Sequence, residues 1–245
     1  MVLVTSWCGG ELLGFDLETT GVDRFSDVPV SYALITCVAG EVVERAGGMV
    51  DPGREIPVGA TAVHGISTAR ARAEGRPLAE VTEHLAASLV AASQRSVPLV
   101  GMNLSYDLTM IDTQCRELDG RGLIERGWSG PALDALPIDR QVDRYRRGPR
   151  RLEDLCGHYG VVLEGAHDAM ADAEAALRVV LALADRHPEI SGTSPGDLHL
   201  RQVRWHRDWA QSFDEFCRSN GRVPLGPGEF FWPIAPFEEP QRDVA

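Results

Sequence analysis

The 245-residue sequence contains no run of 18 or more apolar residues, and its five cysteines follow no recognisable spacing. Without a long apolar run we expect no membrane-spanning segment. The first residues lack a basic stretch followed by an apolar one, so we expect no secretory signal peptide. Five cysteines without a Cys-x-x-Cys spacing argue against a disulfide framework and against a zinc site. These absences predict a protein of the reducing cytoplasm.

Positive charge is also in short supply, since the formal net charge is −12 at pH 7. Tight binding to long duplex nucleic acid normally needs a basic surface, so this class of partner is disfavoured. A carboxylate site that binds cations would account for part of the negative charge. One stretch concentrates arginines, namely Arg140, Arg144, Arg146, Arg147, Arg150 and Arg151. This arginine cluster is consistent with phosphate contact and equally with a solvated loop and helix face.

Two carboxylates stand at the end of a predicted buried strand. Residues 12–15 are apolar, Asp16 and Glu18 follow, and residues 19–21 turn the chain away. Side chains alternate between the faces of a strand, so these two carboxylates point the same way, about 7 Å apart along the backbone. A divalent cation is the simplest group that would hold two like charges together. A solvated strand end would show the same triplet, so the interpretation depends on partners further along the chain.

The remaining pattern predicts a mixed α/β sheet with helices on its faces. Three strands, at about 12–18, 30–38 and 41–50, predict an antiparallel meander. The later predicted elements are a helix at 77–92, a strand at 97–101, a helix from about 106 to 118, a short strand within 131–139, and helices at 152–159, 169–184 and 198–220. Residues 187–196 have the composition of a linker.

Several polar residues stand at the predicted element ends. Asp107 lies at or near a helix start, where an acidic residue is common without any catalytic role. His64 lies in a loop and alone would be an ordinary histidine. Asp168 is a natural N-cap for the helix that follows. In a continuous helix His167 and Asp172 would diverge by about 140°, so they converge only if His167 precedes the helix.

Four segments together carry a family resemblance. They are Phe-Asp-Leu-Glu-Thr-Thr-Gly at 15–21, Val-His-Gly-Ile at 63–66, Asn-Leu-Ser-Tyr-Asp at 103–107, and His-Asp-Ala-Met-Ala-Asp at 167–172. In this order they resemble the motifs of the DnaQ-like 3′–5′ exonucleases, the DEDDh branch of the ribonuclease H-like superfamily. The resemblance covers residues 10 to about 186 and implies a five-stranded mixed sheet. Met102 stands where many relatives carry His, which affects the pocket rather than metal binding.

The resemblance implies a metal-dependent 3′–5′ exonuclease that hydrolyses phosphodiester bonds from the 3′ end of single-stranded DNA. The products would be nucleoside 5′-monophosphates. Two divalent cations, Mg²⁺ or Mn²⁺, would be the cofactors, with Asp16 bridging both. Glu18 and Asp172 would hold the cation that carries the attacking water, and Asp107 would help to hold the second. His167 would be the general base, because an imidazole can accept a proton at neutral pH.

The same resemblance implies residues that grip the terminal nucleotide, namely Leu17, Thr19, Thr20, His64 and Asn103. The two threonines would act through backbone N–H and hydroxyl contacts with the 3′ end. The strand would have to be single-stranded to enter, with a short footprint and base stacking.

Two alternatives stay open. The substrate could be RNA or short oligoribonucleotides, because only contacts with the 2′-OH separate the two sugars. The chain could also be a proofreading or accessory module that docks a polymerase or a second copy of itself. The aromatic residues Trp205, Trp209, Phe213 and Phe216 recur at helical spacing, which is typical of a docking face.

We expect two parts, an exonuclease domain at 1–190 and a C-terminal helix with an extended tail at 191–245. That extension would pack on the core or on a partner, and it resembles extensions on exonuclease-domain proteins of actinobacteria.

Overall fold

A six-stranded sheet forms the centre of the molecule. The computed structural model describes residues 6–237; residues 1–5 and 238–245, the outer ends of the two predicted parts, lie outside the described chain. In chain order the strands are β1 (Glu11–Thr19), β2 (Pro29–Val38), β3 (Glu41–Asp51), β4 (Arg76–Pro77), β5 (Leu99–Gly101) and β6 (Ala132–Asp134). Across the sheet they follow the order β4-β3-β2-β1-β5-β6. The predicted mixed sheet is confirmed.

The first three strands form the predicted antiparallel meander. The turn between β2 and β3 lies at Ala39 and Gly40, whose φ angles of 54° and 83° are both positive, as a tight hairpin turn requires. On the other side of β1, β5 runs parallel to it and β6 runs parallel to β5. The carboxyl ends of β1, β5 and β6 therefore lie at the same edge of the sheet.

The prediction of five strands was one short. The additional strand is β4, whose two residues pair in parallel with Val50 and Asp51 at the end of β3. Two residues cannot display the alternation that identifies a strand, and one of them is Pro77, which the sequence assigns to the start of a helix. Pro77 does both, because it is also the N-cap residue of the helix that follows.

Helices cover both faces of the sheet. They are α1 (Val58–His64), α2 (Thr68–Glu74), α3 (Leu78–Gln94), α4 (Leu104–Asp119), α5 (Ala135–Val142), α6 (Leu152–Tyr159), α7 (Ala169–Arg186), α8 (Pro188–Ser191) and α9 (Pro195–Ser219). Short 3₁₀ turns lie at Trp7–Gly9 and Pro227–Phe230. The five longer predicted helices are confirmed within a few residues as α3, α4, α6, α7 and α9.

Local signals explain the best-predicted ends. The Asp168 carboxylate accepts the N–H groups of Met170 and Ala171 at 3.0 and 3.1 Å, so the predicted N-cap of α7 is confirmed. Gly160 ends α6 with a left-handed φ of 72°, which glycine adopts without a steric penalty.

The sequence did not predict the short helices α1, α2, α5 and α8, and the linker predicted at 187–196 is wrong where α8 and the start of α9 occupy it. None of the residues of α1 is buried and only Ala71 of α2 is, so neither helix carries a stripe of apolar residues. In α5 the third residue is Pro137, which is tolerated in a first turn because that position needs no intrahelical N–H.

Residues of β1 alternate between two hydrophobic cores. Leu12 packs into the core beneath α7, whereas Phe15 and Leu17 pack into the core beneath α3 and α4. Because the side chains alternate, Asp16 and Glu18 lie on the α7 face of the strand.

A glycine sets the distance between α7 and β1. A Cβ atom at Gly14 would lie 3.2 Å from the carbonyl oxygen of Ala173, closer than the neighbour allows without shifting. The helix therefore approaches the strand closely because residue 14 has no side chain. The first turn of α7 is held beside the end of β1 as a result.

Helix α9 covers the edge strand β6. The side chain of Gln202 accepts the N–H of Asp134 at 2.8 Å and donates to the carbonyl oxygen of Ala132 at 2.9 Å. Nδ1 of His199 accepts the N–H of Ala132 at 3.1 Å. These side chains satisfy the backbone groups that an edge strand would leave unpaired. The segment after α9 packs on α4, where Trp232 and Ala235 are buried.

Among residues 6–237 no helix is both long and apolar enough to cross a membrane. The cysteines Cys8, Cys37, Cys115, Cys156 and Cys217 are free thiols. The cytoplasmic location and the domain boundary near residue 190 stay predictions.

Candidate active site

Three of the predicted carboxylates meet at the carboxyl end of β1. Asp16 and Glu18 reach this point from the strand, and Asp172 reaches it from the first turn of α7. One oxygen from each carboxylate lies within 4.8 Å of the other two. The close packing of α7 on β1 thus brings together residues that are far apart in the sequence.

The fourth carboxylate, Asp107, is buried in the first turn of α4. It is not part of the group of three within 4.8 Å, but its negative charge acts on Asp16. The start of α4 is held by Asp134 at the end of β6, whose two carboxylate oxygens accept the N–H groups of Asn103 and Leu104 at 2.8 and 2.9 Å. Asp107 is thereby fixed beside the other three carboxylates.

Burial and the repulsion between neighbouring negative charges disfavour the ionised forms of the four carboxyl groups. Burial raises the pKa of Asp16 well above its usual value, and the charges of Asp107, Asp172 and Glu18 raise it further. Burial raises the pKa of Glu18 to about 7, with Asp172 contributing by repulsion. Burial also raises the pKa of Asp107 and of Asp172. Each of these groups would be more stable as an anion beside a cation.

The donor set fits a divalent cation. Oδ1 of Asp172 is buried and, among the described residues, has no hydrogen-bond partner. Oδ2 of the same carboxylate accepts the backbone N–H of His167 at 3.2 Å. Carboxylate oxygens are the ligands that Mg²⁺ and Mn²⁺ prefer. The group Asp16, Glu18 and Asp172 can therefore hold a metal ion.

His167 lies immediately before α7, as the capping pattern at Asp168 predicts. Its φ angle of 66° lies in the left-handed region. His167 therefore does not extend α7 by a further turn, and the chain changes direction sharply before the helix. The imidazole is about half exposed, and its Nε2 lies 3.8 Å from Oε1 of Glu153. It lines a cleft of about 260 Å³ together with Glu18 and His64.

His64 ends α1 and forms another wall of this cleft. Its Nδ1 accepts the N–H of Ile66 at 3.1 Å. Its Nε2 is buried and has no partner within residues 6–237. Burial lowers the pKa of His64, so the ring favours its neutral form, and its contact with a substrate stays a prediction.

The two threonines are held by protein groups. Thr19 Oγ1 donates to the carbonyl oxygen of Gly21 at 2.7 Å and lies 3.1 Å from the hydroxyl of Tyr106. Thr20 is buried; its hydroxyl donates to Asp27 at 2.7 Å, and its N–H donates to a carbonyl oxygen in the same loop. The side chain of Thr20 fastens this loop, and its contact with a substrate stays a prediction.

Leu17 contacts Asp107 through its backbone, and Asn103 is the N-cap residue of α4, the helix that carries Asp107. Leu17 is buried, and its backbone favours the ionised form of Asp107. Asn103 has a left-handed φ of 61° and an exposed side chain that makes no capping hydrogen bond. Asn103 thus stands at the start of α4 with a free amide, and its contact with a substrate stays a prediction.

Sequence reasoning missed Asp134 and Trp232. Asp134 ends a short buried strand, much as Asp16 and Glu18 lie near the carboxyl end of β1, and this similarity was the available signal. Trp232 donates to it from the C-terminal tail, and no local pattern predicts that contact.

Comparison with known proteins places these residues in a family context. A family model described as "Exonuclease" (RNase_T) matches residues 13–180. A DNA polymerase III subunit epsilon-like protein of Rhodobacter capsulatus is 33% identical over 204 residues, 78% of this chain and 26% of that protein. A PolC-type DNA polymerase III of Lacticaseibacillus paracasei is 26% identical over 198 residues, 74% of this chain and 12% of that protein. The chain thus spans about a quarter or less of these relatives.

Among solved structures, E. coli exonuclease I in complex with a dT13 oligonucleotide matches with a TM-score of 0.62 and 23% identity. The match covers 74% of this chain and 42% of that chain. At this identity the likeness concerns the fold, and the ribonuclease H-like fold expected from the sequence is confirmed.

Proposed function

The chain belongs to the exonuclease family, and from that membership we propose that it is a metal-dependent 3′–5′ exonuclease acting on single-stranded DNA. It hydrolyses phosphodiester bonds from the 3′ end and releases nucleoside 5′-monophosphates. The observation that carries the proposal is the convergence of Asp16, Glu18 and Asp172 within 4.8 Å. A partly buried acidic cluster of this kind suits metal-assisted phosphodiester hydrolysis.

The proposed cofactors are two divalent cations, Mg²⁺ or Mn²⁺. Asp16, Glu18 and Asp172 would hold one cation, and Asp107 together with Asp16 would hold the other. When bound, the cations supply Lewis-acid stabilisation for the charge that builds on the phosphate and on the leaving oxygen. Four carboxylates offset the four positive charges, which supports this assignment.

His167 is the proposed general base. Its imidazole shares the cleft with Glu18 and is half exposed, so it can take a proton from an attacking water and pass it to solvent. The backbone N–H of His167 is bonded to Asp172, which ties the base to the metal-binding carboxylates. The imidazole thus accepts the proton close to where the cations act.

The terminal nucleotide enters the cleft as a single strand. The imidazole of His64, which lines the cleft, and the free amide of Asn103 are the proposed contacts for its polar groups. The backbones of Leu17 and Thr19 line its sugar. The hydroxyl of Thr19 is already engaged with Gly21, so we assign its contact with the 3′ end to the backbone.

A role beside a DNA polymerase is the second candidate. The relatives reported above are, by name, polymerase III proteins, and this chain matches a minor part of their length. In that setting the same hydrolysis would remove a nucleotide from a strand end presented by the polymerase.

The test uses 5′-labelled single-stranded DNA and RNA of matched sequence, with Mg²⁺, Mn²⁺ or a chelator. The proposal expects a ladder that shortens from the 3′ end, with a faster rate on DNA, and no cleavage with the chelator. Asp16→Asn and His167→Ala should abolish the ladder, whereas Glu44→Gln, an exposed acid on β3, should not. If neither substrate is cleaved in a metal-dependent manner, the proposal is overturned. A faster rate on RNA than on DNA would mean that RNA is the preferred substrate.

A further inference from the structure

Three aromatic side chains form a continuous stack along α9. The ring centroids of Trp209 and Phe213 are 5.3 Å apart with planes 13° from parallel, and those of Phe213 and Phe216 are 6.3 Å apart at 24°. Arg140 places its guanidinium 3.3 Å from the centroid of the Trp209 ring, and Arg222 lies 5.2 Å from that of Phe216. Phe213 and Phe216 are 36% and 45% exposed. The stack is therefore a surface feature between two arginines.

A groove of about 310 Å³ separates this stack from α5. Arg140, Arg144 and Arg150 line it, with Asp208 as its acidic residue. Arg150 pairs with Asp139 at 2.6 Å. Within the described chain, Arg140 and Arg144 have no carboxylate within ion-pair distance. Two guanidinium groups are thus available to an anionic ligand.

The charge of this groove contrasts with the rest of the protein. The net charge is −12, and all 24 basic residues are arginines, since the sequence contains no lysine. Burial lowers the pKa of Arg140 to about 10, so its guanidinium is charged at neutral pH. Arginine binds phosphate bidentately and stacks on flat ring systems, which lysine does not do.

The lining also argues against an apolar protein segment as the occupant. Among its described residues Pro137 is the one aliphatic side chain, and the remainder are aromatic, charged or polar. A helix docking by an apolar stripe would find few aliphatic partners here. Stacked rings interleaved with arginines are instead the arrangement used for single-stranded nucleic acid.

The groove begins at the edge of the sheet that carries the carboxylates. Helix α5 starts directly after β6, and Arg140 lies close enough to Asp134, the last residue of that strand, for their charges to interact. Helix α9 contacts β6 first through His199 and then through Gln202, and so runs toward the same edge. Trp209 lies seven residues after Gln202, about 10 Å further at 1.5 Å per residue. The stack therefore leads away from the active-site end of the sheet.

We propose that this groove, here called the arginine–aromatic groove, binds single-stranded nucleic acid upstream of the 3′ end held at the carboxylates. Bases stack on Phe213 and Phe216, and phosphates contact Arg140 and Arg144. This inference rests on the proposed function, since it extends the path of the same strand. It gives the exonuclease a preference for longer strands, because short ones do not reach the groove.

The test measures binding by fluorescence anisotropy in chelator, where no hydrolysis occurs. The probes are 5′-labelled oligothymidylates of about five and about twenty nucleotides, sizes that bracket common footprints for single strands. We expect Phe213→Ala to weaken binding of the long probe at least about fivefold, the low end of losses for one stacked base, and to leave the short probe unchanged. The matched control is Leu200→Ala, an exposed apolar residue (59%) of the same helix.

A second variant tests the phosphate contact. Arg144→Ala should reduce the slope of log affinity against log salt by about 0.7, the value for one phosphate contact on a single strand. Arg201→Ala, also exposed on α9, should leave the slope unchanged. The affinity for an oligouridylate of equal length is measured in the same way, so that binding of ribose and deoxyribose strands can be compared.

Failures of the two proposals are distinguishable. If the wild type cleaves neither probe with Mg²⁺, the proposed function fails. The anisotropy experiment in chelator would still measure binding of the long probe at the groove. The groove proposal is overturned if the wild type does not bind the long probe, or if Phe213→Ala binds it as tightly as Leu200→Ala does. It is also overturned if Phe213→Ala dissociates a dimer in sedimentation without changing probe binding, because the stack is then an interface between copies.

Discussion

The indole Nε1 of Trp232 donates a hydrogen bond of 2.9 Å to Oδ2 of Asp134. The same buried carboxylate accepts the N–H groups of Asn103, Leu104 and Leu136. Four donors on one carboxylate join the C-terminal tail, the start of α5 and the start of α4. Because α4 carries Asp107, the tail supports the active site from a distance.

Replacing Trp232 by Phe tests this support. The ring volume is largely kept, but the Asp134 carboxylate loses a donor in a buried position, which costs about 1–3 kcal/mol in free energy of unfolding. We expect a lower midpoint in urea denaturation and weaker binding of Mg²⁺ through displacement of Asp107. Trp205→Phe, a partly buried indole on α9, is the control. Equal effects of the two variants on Mg²⁺ affinity would contradict the role assigned to Trp232.

Gln202→Leu tests how α9 covers the edge of the sheet. The change leaves the N–H of Asp134 and the carbonyl oxygen of Ala132 buried without partners, at about 1–3 kcal/mol each. We expect a loss of about 2–5 kcal/mol in the free energy of unfolding, measured by urea denaturation. Gln94→Leu, at the exposed end of α3, should change it little. A small effect of Gln202→Leu would mean that water replaces the side chain at this edge.

Because of these contacts, deleting the C-terminal segment would not test that segment alone. The sequence predicts an exonuclease domain at 1–190 and a separate C-terminal extension at 191–245. The structure has Gln202 and His199 completing β6 and Trp232 bonded to Asp134. Removing that segment would expose the edge strand and the start of α4, so point variants are the sharper tests.

The sequence predicts the parts of the site that depend on local pattern. Strand alternation brings Asp16 and Glu18 to one face, and the Asp168 cap puts His167 outside α7; both follow from residues a few positions apart. The contacts of Trp232 with Asp134 and of Gln202 with β6 span 98 and 68 residues. No periodicity encodes such pairings, because they depend on how complete elements pack. The same reason hides β4, which is a strand only through its pairing with β3.

Two histidines, the half-buried His199 and the buried His206, make stability depend on pH. Burial lowers the pKa of His199 and of His206 in the fold, whereas the unfolded chain protonates them near about pH 6.5. The folded state then binds fewer protons, so their contribution is present above that pH and is lost as the pH falls through the folded pKa. The carboxyl groups with raised pKa values act in the opposite direction, so a difference measurement is needed.

The measurement compares His199→Asn with the wild type in urea denaturation between about pH 7 and pH 5. The amide oxygen of Asn can accept the N–H of Ala132 as Nδ1 does, but it does not titrate. We expect the variant to gain stability relative to the wild type as the pH falls. His84→Asn, an exposed histidine of α3, should show no trend. A flat difference for His199→Asn would mean that the ring is protonated in the fold.

Removing one carboxylate from the cluster should stabilise the metal-free protein. In Asp16→Asn the buried charge and its repulsion by Asp172 and Glu18 are absent, so we expect the melting temperature in chelator to rise by a few degrees, about 2–4 °C for each kcal/mol. In the wild type, saturating Mg²⁺ should raise it by a similar or larger amount, since a ligand at 100 times its Kd adds about 2.7 kcal/mol. The variant should lose that response. Asp185→Asn, an exposed acid on α7, should behave as the wild type in both conditions. The opposite result would be a wild type whose melting temperature does not respond to Mg²⁺ or Mn²⁺, together with an Asp16→Asn variant that melts lower in chelator. It would show that Asp16 supports the fold through protein contacts rather than holding a cation.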